Sequence, residues 1–121
     1  MLRNLVRIVS LGLALAACGN ITSNGATEIR VANRSGRDFD RVTVQFTEKV
    51  EDYGSVGAGQ ATTYRDVGPA YSYARIEVQT GGATLVLQPI DFVGEKLLGP
   101  GRFTYALDSD GQTLLLKLER N

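Results

Sequence analysis

Asp91 and Glu95 are the two residues whose type and spacing come nearest to a reactive pair. They lie in Pro89-Ile90-Asp91-Phe92-Val93-Gly94-Glu95-Lys96, which mixes carboxylates with apolar groups. Two carboxylates about 5 to 10 Å apart can act as general acid and base on a glycosidic bond. That chemistry usually needs a concave pocket, which a small all-β domain rarely has. The segment is therefore expected first as a plain strand connection, with Asp91 or Glu95 capping backbone amides, and next as a partner-binding loop touching its partner through Asp91, Phe92 and Glu95. Tyr71 and Tyr73 form a second constellation: two residues apart in an extended segment, they project to one side, opposite Ile76 and Val78, and two rings there can carry a sugar or a peptide. The plainer expectation is that they flank the core or cover an edge strand.

Asp108-Ser109-Asp110-Gly111 has the alternating carboxylates of a calcium loop. The twelfth position of such a loop is Glu119, inside a run that alternates like a strand, so a hairpin turn is the expectation. The chain has no histidine, which removes the commonest transition-metal ligand and the usual general base of nucleophilic triads. No phosphate-binding glycine loop and no dinucleotide fingerprint is present. Neither a cofactor nor a nucleotide is expected, and the protein is expected not to be an enzyme.

These residues must be held by strands. From Glu28 onward the apolar period is two, with β-favouring residues between glycine-rich breaks. Ile29 and Val31 mark a first strand, ended by the Asn33-Arg34-Ser35-Gly36 turn; Val42, Val44 and Phe46 mark a second; Tyr53 to Val56 reads as a short edge strand and Ala61 to Arg65 as another. Tyr71 to Thr80 reads as one long strand, joined through Gly81-Gly82 to Ala83–Gln88 in a hairpin that Pro89 stops. Arg102–Leu107 and Gln112–Glu119 complete the set around Asp108-Ser109-Asp110-Gly111. About seven strands at this spacing predict a small antiparallel β-sandwich over residues 28–121, its two apolar faces packed about 10 Å apart. A barrel is the alternative, but the strands lack the periodic glycine kinks that help close small barrels.

The amino terminus is of another kind. Arg3 and Arg7 precede an apolar run from Ile8 to Leu15, the layout of a secretory signal. Leu15-Ala16-Ala17-Cys18 then places the only cysteine directly after it. An ordinary signal cleaved after Ala14-Leu15-Ala16 and an uncleaved membrane helix are the alternatives. A spanning helix needs about 20 predominantly apolar residues, whereas this run is shorter and carries Arg7.

Leu15-Ala16-Ala17-Cys18 resembles the lipobox of bacterial lipoproteins at all four positions. The resemblance implies a signal peptide over 1–17, a diacylglycerol on the Cys18 thiol, and acylation of the new amino terminus. Gly19 after the lipidated position implies, by the same resemblance, sorting to the outer membrane, facing the periplasm. Residues 18–27, with the small polar run GNITSNGAT, then form a tether reaching about 30 Å when extended. The triplets Asn20-Ile21-Thr22 and Asn33-Arg34-Ser35 are read as tether and turn rather than as glycan acceptors. With Cys18 committed to lipid, no thiol remains for a disulfide.

Charge narrows the partners. The full chain has 13 basic and 13 acidic residues, so loss of Arg3 and Arg7 leaves a slightly acidic domain whose lysines, Lys49, Lys96 and Lys117, are scattered. Nucleic acid is not an expected partner, because phosphate binding needs clustered cations. Pro100-Gly101-Arg102-Phe103-Thr104-Tyr105 resembles a strand start of immunoglobulin-like and transthyretin-like sandwiches, in which a tyrosine anchors a corner. Small lipidated sandwiches of this kind include the transthyretin-like lipoprotein of type VI secretion. The expected function is that of a non-catalytic envelope lipoprotein, anchored in the membrane by its lipid, that binds another envelope protein or helps to assemble one. A glycan- or peptide-binding module using Tyr71 and Tyr73, and an envelope hydrolase using Asp91 and Glu95, are the alternatives.

Overall fold

The computed structural model describes residues 25–89 and 95–121. The leader, Cys18, most of the tether, Asp91 and Phe92 lie outside the described residues.

Eight strands form two four-stranded sheets. They are β1 (Thr27–Asn33), β2 (Phe39–Gln45), β3 (Val50–Val56), β4 (Arg65–Asp66), β5 (Arg75–Thr80), β6 (Ala83–Leu87), β7 (Gly101–Ser109) and β8 (Leu114–Arg120). One sheet runs β4-β1-β7-β8 and the other β3-β2-β5-β6. The expected β-sandwich is therefore what the chain forms. Every pairing is antiparallel save β1 with β7, which run parallel with Ile29 beside Phe103 and Val31 beside Tyr105.

The alternation that marks the strands also builds the core. Ile29 and Val31 from one sheet meet Val42, Val44, Ile76 and Val78 from the other, all fully buried. Strand β7 is covered on both faces: Phe103, Tyr105 and Leu107 look into the core, while Thr104 and Ala106 are buried on the outer side. There Arg30 donates to the Thr104 hydroxyl at 2.9 Å, and the guanidinium groups of Arg30 and Arg102 each stand 5.0 Å from the Tyr64 ring.

Three segments differ from the sequence reading. Ala61 to Arg65 is not one strand: Ala61 bridges Ala32, and only Arg65–Asp66 pairs with β1. Between them the Thr62 hydroxyl accepts the Val31 N–H at 3.0 Å, so a side chain takes the place of a ladder bond. The edge strand begins at Val50 rather than Tyr53 and bulges where the Tyr53 side chain turns inward to donate to the Ile29 carbonyl at 2.8 Å. The strand expected from Tyr71 begins only at Arg75, for a reason that also shapes the cleft described below.

Asn33 is the polar residue on which the far end of the sandwich closes. Its side chain, fully buried, donates to the carbonyls of Arg37 at 2.7 Å and Val56 at 2.9 Å and accepts both the Ser35 N–H and the Ser35 hydroxyl. Arg37 also reaches the hairpin between β7 and β8, donating to the Asp110 carbonyl and packing so closely on Gly111 that a Cβ there would lie 2.8 Å from its guanidinium carbon. Asn33→Ala takes the amide away from the Val56 carbonyl and the Ser35 N–H, and leaves the Arg37 carbonyl only the Ser35 hydroxyl. It is expected to cost about 3 kcal/mol in a urea unfolding measurement, whereas Arg34→Ala, at an exposed surface ion pair, is expected to cost less than about 1 kcal/mol.

Candidate functional site

A cleft of about 640 Å³ opens at the end of the sandwich opposite Asn33. Its walls are the last residues of β2 and the turn after it (Gln45, Phe46), the approach to β5 (Tyr71, Tyr73, Arg75), the residues after β6 (Gln88, Pro89), and Glu95. Phe46 lines it, and the fully buried Tyr105 ring stands 5.9 Å from the Phe46 ring between centroids.

The approach to β5 is held by one bond from the opposite sheet and one from the segment before β7. Tyr105 donates its hydroxyl to the Tyr71 carbonyl, and the Leu98 N–H reaches the Ala70 carbonyl at 2.9 Å. Pro69 has no N–H to give a ladder. These bonds draw the backbone before β5 toward the opposite wall, and Tyr71–Ala74 lines a cleft instead of extending β5. Ser72 then donates its hydroxyl to Glu95 at 3.2 Å, tying the two walls together. Burial above all, then Tyr53 and the negative charge of Glu95, push the pKa of Tyr105 well above the ordinary tyrosine value, so its proton stays on the hydroxyl and the bond to Tyr71 persists across accessible pH.

Of the residues singled out from the sequence, Tyr71, Tyr73 and Glu95 come together in this one cleft. Tyr73 is 48% exposed and Tyr71 half-buried, so the ring of Tyr73 is available at the surface. The remaining tyrosines belong elsewhere: Tyr53 and Tyr105 are buried, and Tyr64 lies between its two arginines. Gln45, Phe46, Arg75 and Gln88 were not singled out. The register places Gln45 opposite Arg75, and the hairpin at Gly81-Gly82 brings Leu87 opposite Ile76, so Gln88 falls beside Arg75. Only strand pairing, not residue type, would have found them.

The hairpin expected at Asp108-Ser109-Asp110-Gly111 forms, but Asp108 and Ser109 still pair as the end of β7, opposite Leu115 and Leu114, and residues 110–113 make the turn. The Asp110 carboxylate accepts the N–H groups of Gln112 and Thr113, each at 2.8 Å, and these bonds hold its pKa below the ordinary carboxylate range. Among the described residues, no group of three or more His, Cys, Asp or Glu is arranged to hold a metal ion. No helix of the described residues is long and apolar enough to cross a membrane.

The fold and the cleft together define a small β-sandwich with a polar-rimmed hollow at one end. An NMR structure of a protein from Eubacterium rectale is similar, with a TM-score of 0.51 and 14% identity over 78% of this chain and 87% of that one. No protein-family model and no curated protein matches the chain.

Two outcomes follow. Tyr105→Phe removes the brace and strands the Tyr71 carbonyl, so it is expected to lower stability by about 1 to 3 kcal/mol in urea unfolding; a loss below about 0.5 kcal/mol would show that the hydroxyl braces nothing. The Asp110 carboxylate has a lowered folded pKa, so what it adds to stability is present above the unfolded value of about 4 and disappears as pH falls through the lower folded value. The wild-type urea midpoint should drop between about pH 5 and pH 2.5, and Asp110→Asn should reduce that drop.

Proposed function

We propose that this chain is a lipid-anchored protein of the bacterial envelope that works without catalysis, as a binding module whose cleft holds a polar chain, glycan or peptide, of an envelope partner. The single observation behind this reading is the convergence of Tyr71 and Tyr73, from the approach to β5, with Glu95, from beyond β6, on one cleft of about 640 Å³. An exposed aromatic ring gives a stacking surface with little conformational cost. Gln45, Gln88, Arg75 and Glu95 around it offer both donors and acceptors, as neutral polar chains require. Arg75 and Glu77 form an ion pair at 3.2 Å, which partly neutralises the rim and favours an uncharged ligand over an anion.

The anchor follows from Leu15-Ala16-Ala17-Cys18 and its resemblance to the lipobox. The chain reaches β1 at the cleft's own end: Gly25 and Ala26 line a second hollow of about 360 Å³ that shares Ala70 with the cleft. A lipid on Cys18 therefore tethers the domain from the cleft's own end, within about 30 Å of the bilayer, which suits a partner that is itself held at the bilayer or in the layer next to it.

Two measurements test the two halves of this reading separately. Mass spectrometry of the natively produced protein is expected to show a diacylglycerol thioether on Cys18, and Cys18→Ser should leave the membrane fraction; an unmodified Cys18 would remove the anchor. Oligosaccharide and peptide arrays probed with the full chain are expected to give ligands whose affinity falls at least about tenfold in Tyr73→Ala, with stability changed by less than about 0.5 kcal/mol at this exposed position. Ligands that bind Tyr73→Ala as well as wild type would place recognition outside the cleft.

A further inference from the structure

The four edges of the two sheets are not alike. β3 is guarded by its bulge at Tyr53 and by Arg65, which donates to the Asp52 carbonyl at 2.7 Å. β4 has two residues. β6 has five and is followed by Pro89. β8 runs for seven residues, Leu114–Arg120, with no proline, glycine or bulge, in unbroken register with β7. Long regular edges of this kind are templates for another strand unless something blocks them.

Which backbone groups β8 leaves open follows from three bonds. The Asn121 N–H reaches the Arg102 carbonyl at 3.1 Å, so Arg102 faces β8, and with it Thr104 and Ala106. The Gly101 N–H goes to the Ala26 carbonyl and the Leu107 carbonyl accepts the Arg34 N–H, so the alternate residues of β7 face β1. Since Thr104 is opposite Glu119 and Ala106 opposite Lys117, the backbone of Lys117 and Glu119 points at β7. The N–H and C=O groups of Leu116, Leu118 and Arg120 point away from the sheet, and among the described residues nothing bonds to them.

We infer that β8 pairs antiparallel with β8 of a second copy, about a two-fold axis through Leu118, to make one continuous eight-stranded sheet. Two registers centred near the middle of the strand keep inner faces together. Centring on Lys117 sets Lys117 directly against its own copy in a pair with no hydrogen bonds, where side chains are closest, and like charges so placed repel. Centring on Leu118 sets Lys117 against the other copy's Glu119, twice by symmetry. It also joins Leu118 to Leu118 and Leu116 to Arg120 through the open backbone groups. Glu119 already accepts Arg34 of its own chain on Oε1 at 2.6 Å, which leaves Oε2 for the other copy's Lys117; charge thus selects the second register, and the partner is a second copy because β8 carries its own complement. The half-buried side chains of Leu116 and Leu118 lose their remaining exposure in the same step.

The test uses purified full-length chain in mild detergent, with mass read by sedimentation velocity. Wild type is expected to be a dimer. Lys117→Glu sets glutamate against glutamate, and Glu119→Lys sets lysine against lysine, so each alone should raise the dimer dissociation constant about tenfold or more. Mixed, the two variants should form a one-to-one heterodimer of near wild-type affinity, since both charge pairs are then opposite. Lys117 is exposed, so its change leaves the fold alone. A wild-type monomer at all concentrations overturns the inference, as does a dimer that ignores both substitutions or variants that fail to recover on mixing.

Discussion

The hydroxyl of Tyr105 has to find an acceptor inside the sandwich. Its ring is wedged between the sheets, fully buried, on a strand covered from both sides. A buried hydroxyl without a partner costs about 1 to 3 kcal/mol, so the backbone near it is under pressure to supply one. The Tyr71 carbonyl does so, 34 residues away. Together with the Leu98 N–H on the Ala70 carbonyl, that demand draws the Tyr71–Ala74 segment against the other sheet and leaves the space that Tyr73, Arg75 and Glu95 surround. The cleft is in this sense partly a by-product of satisfying one buried oxygen.

Tyr53 plays the same part on the edge strand β3. Its hydroxyl crosses from β3 to the Ile29 carbonyl, while Arg65 from the opposite sheet stands 4.6 Å from its ring and also pairs with Glu51 at 3.0 Å. Burial first, and then Glu51, raises its pKa well above the ordinary value despite the nearby Arg65. Here the inter-sheet bond comes with a cation and a bulge, and the edge is closed to other strands. At β8 no hydroxyl crosses the gap: Leu114, Leu116 and Leu118 pack on the core, Arg120 stacks 5.3 Å from the Phe103 ring of its own sheet, and the edge stays open. Two edges of one molecule thus differ because one carries an aromatic residue that needs a polar partner and the other does not.

How much of this is legible in residue order depends on how local the cause is. Alternation in Ile29–Val31, Val42–Val44 and Ile76–Val78 reports which way each side chain points, a property of the strand itself, so the all-β sandwich and most strand positions can be read directly. The Gly81-Gly82 and Asp108–Gly111 hairpins are equally local. The parallel pairing of β1 with β7 is not, because it joins Ile29 to Phe103 with no turn chemistry to announce it. Nor is the course of the chain before β5, which depends on Tyr105 and Leu98. For the cleft, Tyr71, Tyr73 and Glu95 stand out by type alone, whereas Gln45 and Gln88 are ordinary strand-end glutamines until the register sets them beside Arg75.

A two-fold through Leu118, perpendicular to the joined sheet, has a consequence for anchoring. Antiparallel strands exchange ends, so the two clefts, and the two points where the chains enter β1, lie at opposite ends of the dimer. A seven-residue strand is roughly 23 Å long at about 3.3 Å per residue. The polar run before β1 reaches about 30 Å when extended. A dimer lying with its strands along the bilayer therefore lets both lipids reach one membrane, one tether at each end. Upright, one tether would have to span the whole domain as well as the gap below it. If both the lipid anchor and the β8 pairing hold, their combination sets the domains flat, with two clefts facing outward along the surface rather than down into it.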